Sequence, residues 1–360
     1  MDEDGIPITG LEELESHLQV LLYSPDTALD AERFDEVSLQ LTDTNTPPLT
    51  LRILPTLIQI LPTYPRDPTI LNDLALKLLK PVSFTQTLSL ASEAALIQAL
   101  SSPSPSTNIL AIAVIEKAAR NPGDTAILSV MRNIVSALLR TWLSTPHVGV
   151  GERAAKALGD LLSMDCDHRS AADLDSRMHG LEITSRTPPG QGLLWRRIFQ
   201  DREIYQMLFE LCSFKTVGKG EDQLDERQKS LAQARLLRIL PRMAALDFPA
   251  VSRTSYPEVD EQYGMRTGEQ GILWFAATDM VNKEEDMLMH ITVIDFFPEL
   301  LEMMSMTASV SQRTMIYLRK LLRRVTATDI TILKSLESIA LNPESPSELV
   351  DFLRELREDQ

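Results

Sequence analysis

Cysteine is scarce in this chain: Cys166 and Cys212 are the only two in 360 residues. Two thiols cannot build a disulfide framework, so the expected compartment is reducing, the cytoplasm or also the nucleus. Basic residues are short as well. Lys and Arg number 35 against 51 Asp and Glu, for a formal charge of −16. Nucleic-acid binding needs a dominant basic surface, so this charge argues against nucleic acid as a partner, and against an anionic membrane surface. No uninterrupted apolar run approaches the ~20 residues of a membrane helix. The opening MDEDGIPITG is acidic where a secretory signal would be basic and then apolar. Alternating strand patterns and Asn-Gly hairpin signals are missing. The expectation is a soluble, all-α protein.

What is present is helical periodicity, many times over. Apolar residues recur at three- and four-residue spacing near 49–62, 69–80, 84–100, 107–120, 124–143, 150–164, 192–199, 201–214, 225–247, 268–281, 284–306, 310–324, 327–341 and 346–358. Breakers such as TYPRDP, SSPSPS, NPGD and LNPESP stand between them. Ser106 to His147 reads as helix, turn and longer helix, close to the ~40-residue period of HEAT and armadillo repeats. The expected fold is a HEAT/armadillo-like α-solenoid, with a compact helical bundle as the alternative. Residues 1–164 are read as N-terminal repeats, 165–191 as a polar loop, and 192–360 as C-terminal repeats of the same continuous solenoid. Segments 215–224 and 248–267 lack clear periodicity and are expected to be loops projecting from one edge. Aromatics make up only 5% of the chain, yet Trp195, Phe199, Tyr205, Phe209 and Phe214 crowd into residues 192–214. A wide apolar stripe there predicts packing between neighbouring repeats, with Arg196, Arg197 and Arg202 facing out.

The residue types that carry chemistry do not assemble into a recognisable motif. Asp165, Cys166, Asp167 and His168, with His179 downstream, lack a second ligand pair at zinc spacing and read as a solvated loop. GVGERA, residues 149–154, touches the dinucleotide fingerprint, but that motif works only between a strand and a helix of a parallel sheet. A helix-initiating turn is the better reading. No histidine stands in a nucleophile signature, and His290, inside DMLMHITVIDFF, reads as a satisfied helix residue. The expectation is no enzyme activity, no cofactor and no metal.

Charge placement is more telling. Residues 1–50 hold twelve Asp and Glu and a single basic residue, Arg33. Farther on, Arg235, Arg238 and Arg242 recur at i, i+3 and i+7 on one helix face, and Arg319 and Arg323 share another. Solvated flanks around an apolar stripe are the plain reading of these faces. An inner groove for an acidic partner is the functional one, because stacked second helices of a solenoid build a continuous surface. With 225–247 and 284–306 as inner helices, Arg235, Arg238 and Arg242 lie beside Asp286, His290 and Glu299. Arg319 and Arg323 fall on an outer helix as a separate patch.

The run from WRRIFQDREIYQMLFELCS through RQKSLAQARLLRILPRMAALDFPAVSRT to ILWFAATDMVNKEEDMLMHITVIDFFPELL resembles the fungal HEAT-repeat assembly chaperones of the proteasome regulatory-particle base. That family was formerly described as DNA mismatch repair proteins. The resemblance covers about residues 190–305 and lies in helix order and local phrasing. It implies a non-catalytic, C-shaped solenoid that binds the C-terminal small domain of one AAA-ATPase subunit. It further implies scaffolding of that subunit's pairing with a neighbouring ATPase and a large non-ATPase subunit. A general HEAT-repeat adaptor in transport, phosphatase scaffolding or trafficking is the alternative. No Trp/Asn ladder of a transport adaptor is seen, since Trp142, Trp195 and Trp274 are irregularly spaced.

Overall fold

A computed structural model describes residues 8–166, 189–215, 224–266, 269–307, 310–341 and 346–358. Helix is the only regular secondary structure among the described residues, so the fold is all-α. The chain divides into two compact units, Met1–Leu138 and Leu139–Gln360. The division falls inside a helix, Arg132–Ser144, and not in the polar segment 165–191.

Unit one begins with two helices in the acidic first fifty residues, which lie outside the periodic stretches: Leu11–Tyr23 (α1) and Ala31–Gln40 (α2). Each buries a short apolar row, Leu14, Leu18 and Leu21 on the first, Phe34 and Val37 on the second. Thr46–Ile60 (α3) and Thr69–Leu79 (α4) follow. The stretch expected as one helix over 84–100 is two, Phe84–Leu90 (α5) and Glu93–Leu100 (α6). Ser92 breaks it by turning extended and accepting the Ala95 N–H at 3.2 Å, an N-cap that starts a new helix. Pro105–Glu116 (α7) tightens into a 3₁₀ turn, Lys117–Arg120, before Pro122–Val130 (α8).

The stretch expected as one helix over 124–143 is also two: α8 and Arg132–Ser144 (α9) meet at a 94° bend. No proline or glycine marks Met131. At the bend Met131 leaves the helical region, at φ −84° and ψ 67°, and Leu128 before it and Ile134 after it are both buried.

Most long-range side-chain bonds in unit one span 34 to 40 residues. α1 packs on α3, α2 on α4, and α4 on α7. Arg52 reaches Glu15 at 2.8 Å, 37 residues away; Lys77 donates to the Ser38 carbonyl at 3.1 Å, 39 away. Lys80 pairs with Asp43 at 2.7 Å, again 37 away, and Thr69 donates to Ser106 at 3.3 Å, also 37 away. Lys117 donates to the Leu79 carbonyl at 2.6 Å, 38 residues away, and to Val82 at 2.8 Å.

Unit two carries Val148–Met164 (α10), Leu193–Phe199 (α11), Arg202–Cys212 (α12) and Glu226–Leu246 (α13). Residues 248–267, expected as a projecting loop, instead form Phe248–Ser252 (α14) and Pro257–Gln262 (α15) and pack inward. Phe248, Val251, Val259, Tyr263 and Met265 are all buried, which holds the segment against the body. Gly271–Thr278 (α16), Met287–Ser305 (α17), Gln312–Thr326 (α18), Ile330–Leu341 (α19) and Ser347–Glu358 (α20) complete it.

Two rows organise these helices. α13 packs on both α10 and α17, and α17 packs on α19. On the other side α16 packs on α18, and the rings of Phe209 (α12) and Phe275 (α16) lie 4.6 Å apart. Trp195, Phe199, Tyr205 and Phe209 are buried as the apolar stripe predicts, while Phe214 is exposed beneath the Lys229 ammonium. Arg196 and Arg202 are exposed, and Arg197 is half-buried in a 3.1 Å ion pair with Asp201. GVGERA forms the first turn of α10.

Candidate functional site

The arginine face of α13 looks toward α10. Arg238 sits 3.6 Å from Glu152, and Arg242 sits 2.9 Å from Asp160 and 3.0 Å from the Ser163 hydroxyl. These pairs advance together along both helices, so α10 and α13 run parallel. Ser230 donates to Asp286 at 3.0 Å near the start of α17, and Arg238 acts electrostatically on Glu299 farther along it. α17 is therefore parallel too.

Two glycines make room for this seam. A Cβ on Gly151 would overlap the Arg235 guanidinium, and a Cβ on Gly159 would overlap that of Arg242. Arg235 threads past Gly151 and donates to the carbonyls of Trp142 and Leu143 at 3.0 Å each, at the C-terminal end of α9. Helix ends leave carbonyls without intrahelical donors, and a cation meets the negative end of the dipole there. Burial lowers the Arg235 guanidinium below its ordinary value, and Glu152 opposes that shift. Arg235 is thus an internal tie.

The other residues of the expected groove divide in the same way. Asp286 is the N-cap of α17, accepting the Met289 N–H at 3.0 Å. His290 is half-buried, its Nε2 lying 2.7 Å from the Asp329 carboxylate between α18 and α19. Lys283 reaches the same oxygen at 3.4 Å. Burial pushes the Asp329 carboxyl up, but hydrogen bonds from Thr331 and His290 and the Lys283 charge outweigh it and hold the group well below the usual carboxylate range. Arg319 pairs with Glu355 and stacks over Phe352 at 5.9 Å, tying α18 to α20. Arg323 is exposed on α18, in the other row.

What remains open to solvent on the α10–α13–α17 row is Arg238, with 74% of its side chain exposed, and Glu299. Loss of water around Glu299 raises its carboxyl despite Arg238, and Glu302 adds to the rise. Beside them α17 presents Leu288, 78% exposed, with Met287 and Ile291 also exposed. Charge pattern alone does not single out these apolar residues; helical spacing does, since Leu288, Ile291, Asp295 and Glu299 share one face.

Two buried carboxylates elsewhere in unit two serve the fold. Asp165 accepts the N–H groups of Leu194 and Trp195, at 2.6 and 3.2 Å, and caps α11. Asp260 accepts the Tyr205 hydroxyl at 2.8 Å and the Gly271 N–H at 3.0 Å. Burial raises both carboxyls against these bonds. Asp165 and Cys166 are thus buried, in place of the solvated loop expected of them; Asp167, His168 and His179 lie outside the described residues. Among the described residues no three His, Cys, Asp or Glu side chains gather as a metal site would require, and no single helix is long and apolar enough to cross a membrane. Compared with known proteins, the chain matches no protein-family model and no curated sequence.

Proposed function

We propose that the chain is a non-catalytic assembly chaperone built as a HEAT-like α-solenoid. It binds the C-terminal small domain of an AAA-ATPase subunit and scaffolds assembly of the proteasome regulatory-particle base, in the cytoplasm or nucleus. The observation that carries the repeat reading is the recurring separation of bonds between repeats in unit one, most of them 34 to 40 residues, close to the ~40-residue HEAT period. The parallel α10, α13 and α17 of unit two, alternating with helices of a second row, support the same reading. A row of parallel helices offers one extended face, which suits a scaffold better than a pocket enzyme. The choice of an ATPase small domain, with a neighbouring ATPase and a large non-ATPase subunit as further partners, rests on the resemblance of residues 190–305.

Within this reading the docking face centres on Arg238, Leu288, Ile291 and Glu299. The apolar pair contributes affinity, and the mixed charges set orientation and on-rate. Arg235 and Arg242 hold the face in place from below. Native affinity purification from cell extract tests the partner: base ATPases without core particle are expected, while transport receptors or phosphatase subunits would overturn the assignment. Arg238→Glu combined with Leu288→Asp should weaken recovery of the ATPase at least tenfold with an unchanged melting temperature. Undiminished recovery at physiological salt would remove the face from consideration.

A further inference from the structure

Between α3, α6 and α7, wholly within unit one, lies a pocket of about 360 Å³. Protein interiors are close-packed, with few voids larger than a water molecule, so a space of this size needs a cause. The cause is side-chain size. Ala91, Ala95 and Ala99 recur at four-residue spacing along the wall formed by α6 and the turn before it, and Ala75 and Ala111 line the space from α4 and α7. Leucines at these positions would fill it.

Its walls are largely aliphatic, with a few hydroxyls among them. Thr87 donates to the Ser83 carbonyl at 2.9 Å, and Thr107 accepts from Asn72 at 3.0 Å. The rim differs. Arg66 is exposed there and, among the described residues, is the only charged side chain lining the pocket. In a chain of net charge −16, a pocket lined without a single carboxylate is a strong local contrast. The neighbouring Asp67 is not among the lining residues and accepts the Thr69 N–H at 3.0 Å and the Thr69 hydroxyl at 2.6 Å. Pro62, Pro65, Pro68 and Pro103 also line the pocket, and their fixed φ angles restrict the backbone there.

We propose that this pocket binds an unbranched aliphatic monocarboxylate, its chain along the alanine face of α6 and its carboxylate at Arg66. The volume lies within the ~300–1,000 Å³ of small-molecule pockets. An aliphatic chain supplies apolar surface without polar atoms to desolvate, and the guanidinium meets the one charge that it carries. This inference stands apart from the scaffold reading, because unit one's pocket shares no residue with the α13–α17 face.

The test is calorimetric titration of the full chain with octanoate, decanoate and dodecanoate, each below its micelle concentration, and with 1-dodecanol. Saturable binding at one site is expected, tightening about fourfold with each added methylene. Dodecanoate should bind at least tenfold more tightly than dodecanol, and Arg66→Gln should erase that preference while keeping the dependence on chain length. Ala99→Trp, which fills the pocket, should abolish binding with the helical signal intact; Ala95→Leu serves if the tryptophan disturbs folding. Absence of saturable binding, equal affinity for acid and alcohol, or binding that survives both filling variants would each overturn the proposal.

Discussion

Phe209 is fully buried, with the rings of Tyr205, Tyr263 and Phe275 at 5.0, 5.3 and 4.6 Å. Its ring joins α12 to α16 and to the turn after α15, so truncation leaves a cavity bordered by three elements. Phe209→Ala should cost about 3–5 kcal/mol in denaturant unfolding. A loss below ~1 kcal/mol would mean that the surrounding rings collapse into the space. Lys117 makes a prediction of another kind. Burial, reinforced by Arg120 and partly offset by Glu116, lowers its ammonium from 10.5 to about 8. Between these two values the unfolded chain holds the proton and the folded chain has released it, so stability rises with pH across that window. Below pH 8 both states are protonated and the slope vanishes. Unit two takes the opposite sign above ~10, because burial raises the Tyr205, Tyr263 and Tyr317 phenols while unfolded tyrosines ionise. Unfolding free energy of unit one should rise by up to about 2 kcal/mol from pH 8 to 9.5. Lys117→Met should remove that rise, and a rise that persists would assign it to other groups.

At the scale of elements, one device recurs: a buried polar side chain on one helix satisfies the last carbonyls of another. Asn108 does this for the end of α6, donating to Ala99 and Leu100 at 2.9 Å each, and Lys117 for α4. Gln233 donates to the Cys212 carbonyl at 2.7 Å and to Met280 at 2.8 Å, closing the ends of α12 and α16 together. The glycine–arginine seam between α10 and α13 is a variant of the same arrangement, and it gives a test with a change of sign. Alanine is favoured over glycine in a helix interior by about 1 kcal/mol. In the parent, however, Gly159→Ala must displace the Arg242 guanidinium from Asp160 and Ser163, and should destabilise by about 1 kcal/mol. In an Arg242→Ala background the same change should stabilise. Equal effects in both backgrounds would mean that the arginine yields without loss. Long helices were legible in the sequence because apolar spacing reports burial directly. The break at Met131 was not, since no proline or glycine signals it. Nor were α1 and α2, whose apolar residues are diluted by carboxylates, or α14 and α15, whose turns are too short for periodicity to register. The candidate surface was legible only in part. Arginine spacing placed Arg235, Arg238 and Arg242 on one face of α13, yet which guanidinium stays exposed depends on Gly151, Gly159 and the α9 carbonyls across the seam.

On the scale of the whole molecule, stability is distributed unevenly. α13 packs on α10, α12, α14, α16 and α17, whereas α1 meets only α2 and α3 as major neighbours, and α20 meets α17 and α19. Helices with neighbours on every side open only with large parts of the structure, and terminal ones fray. Hydrogen–deuterium exchange should show α13 slowest by several orders of magnitude, with α1, α2 and α20 exchanging first. Comparable protection in α20 and α13 would contradict this gradient.

The recurring separation of the bonds in unit one also has a mechanical consequence. A load applied through the termini is borne by contacts that each bridge only some 37 residues, so no single bond clamps the whole unit. Under tension the unit should peel one helix pair at a time, each release freeing roughly 120–130 Å of extended chain. A force–extension trace should therefore be a staircase of small, low-force steps. Rupture of the entire unit in a single event would mean that its helices are locked together by contacts of longer range than these.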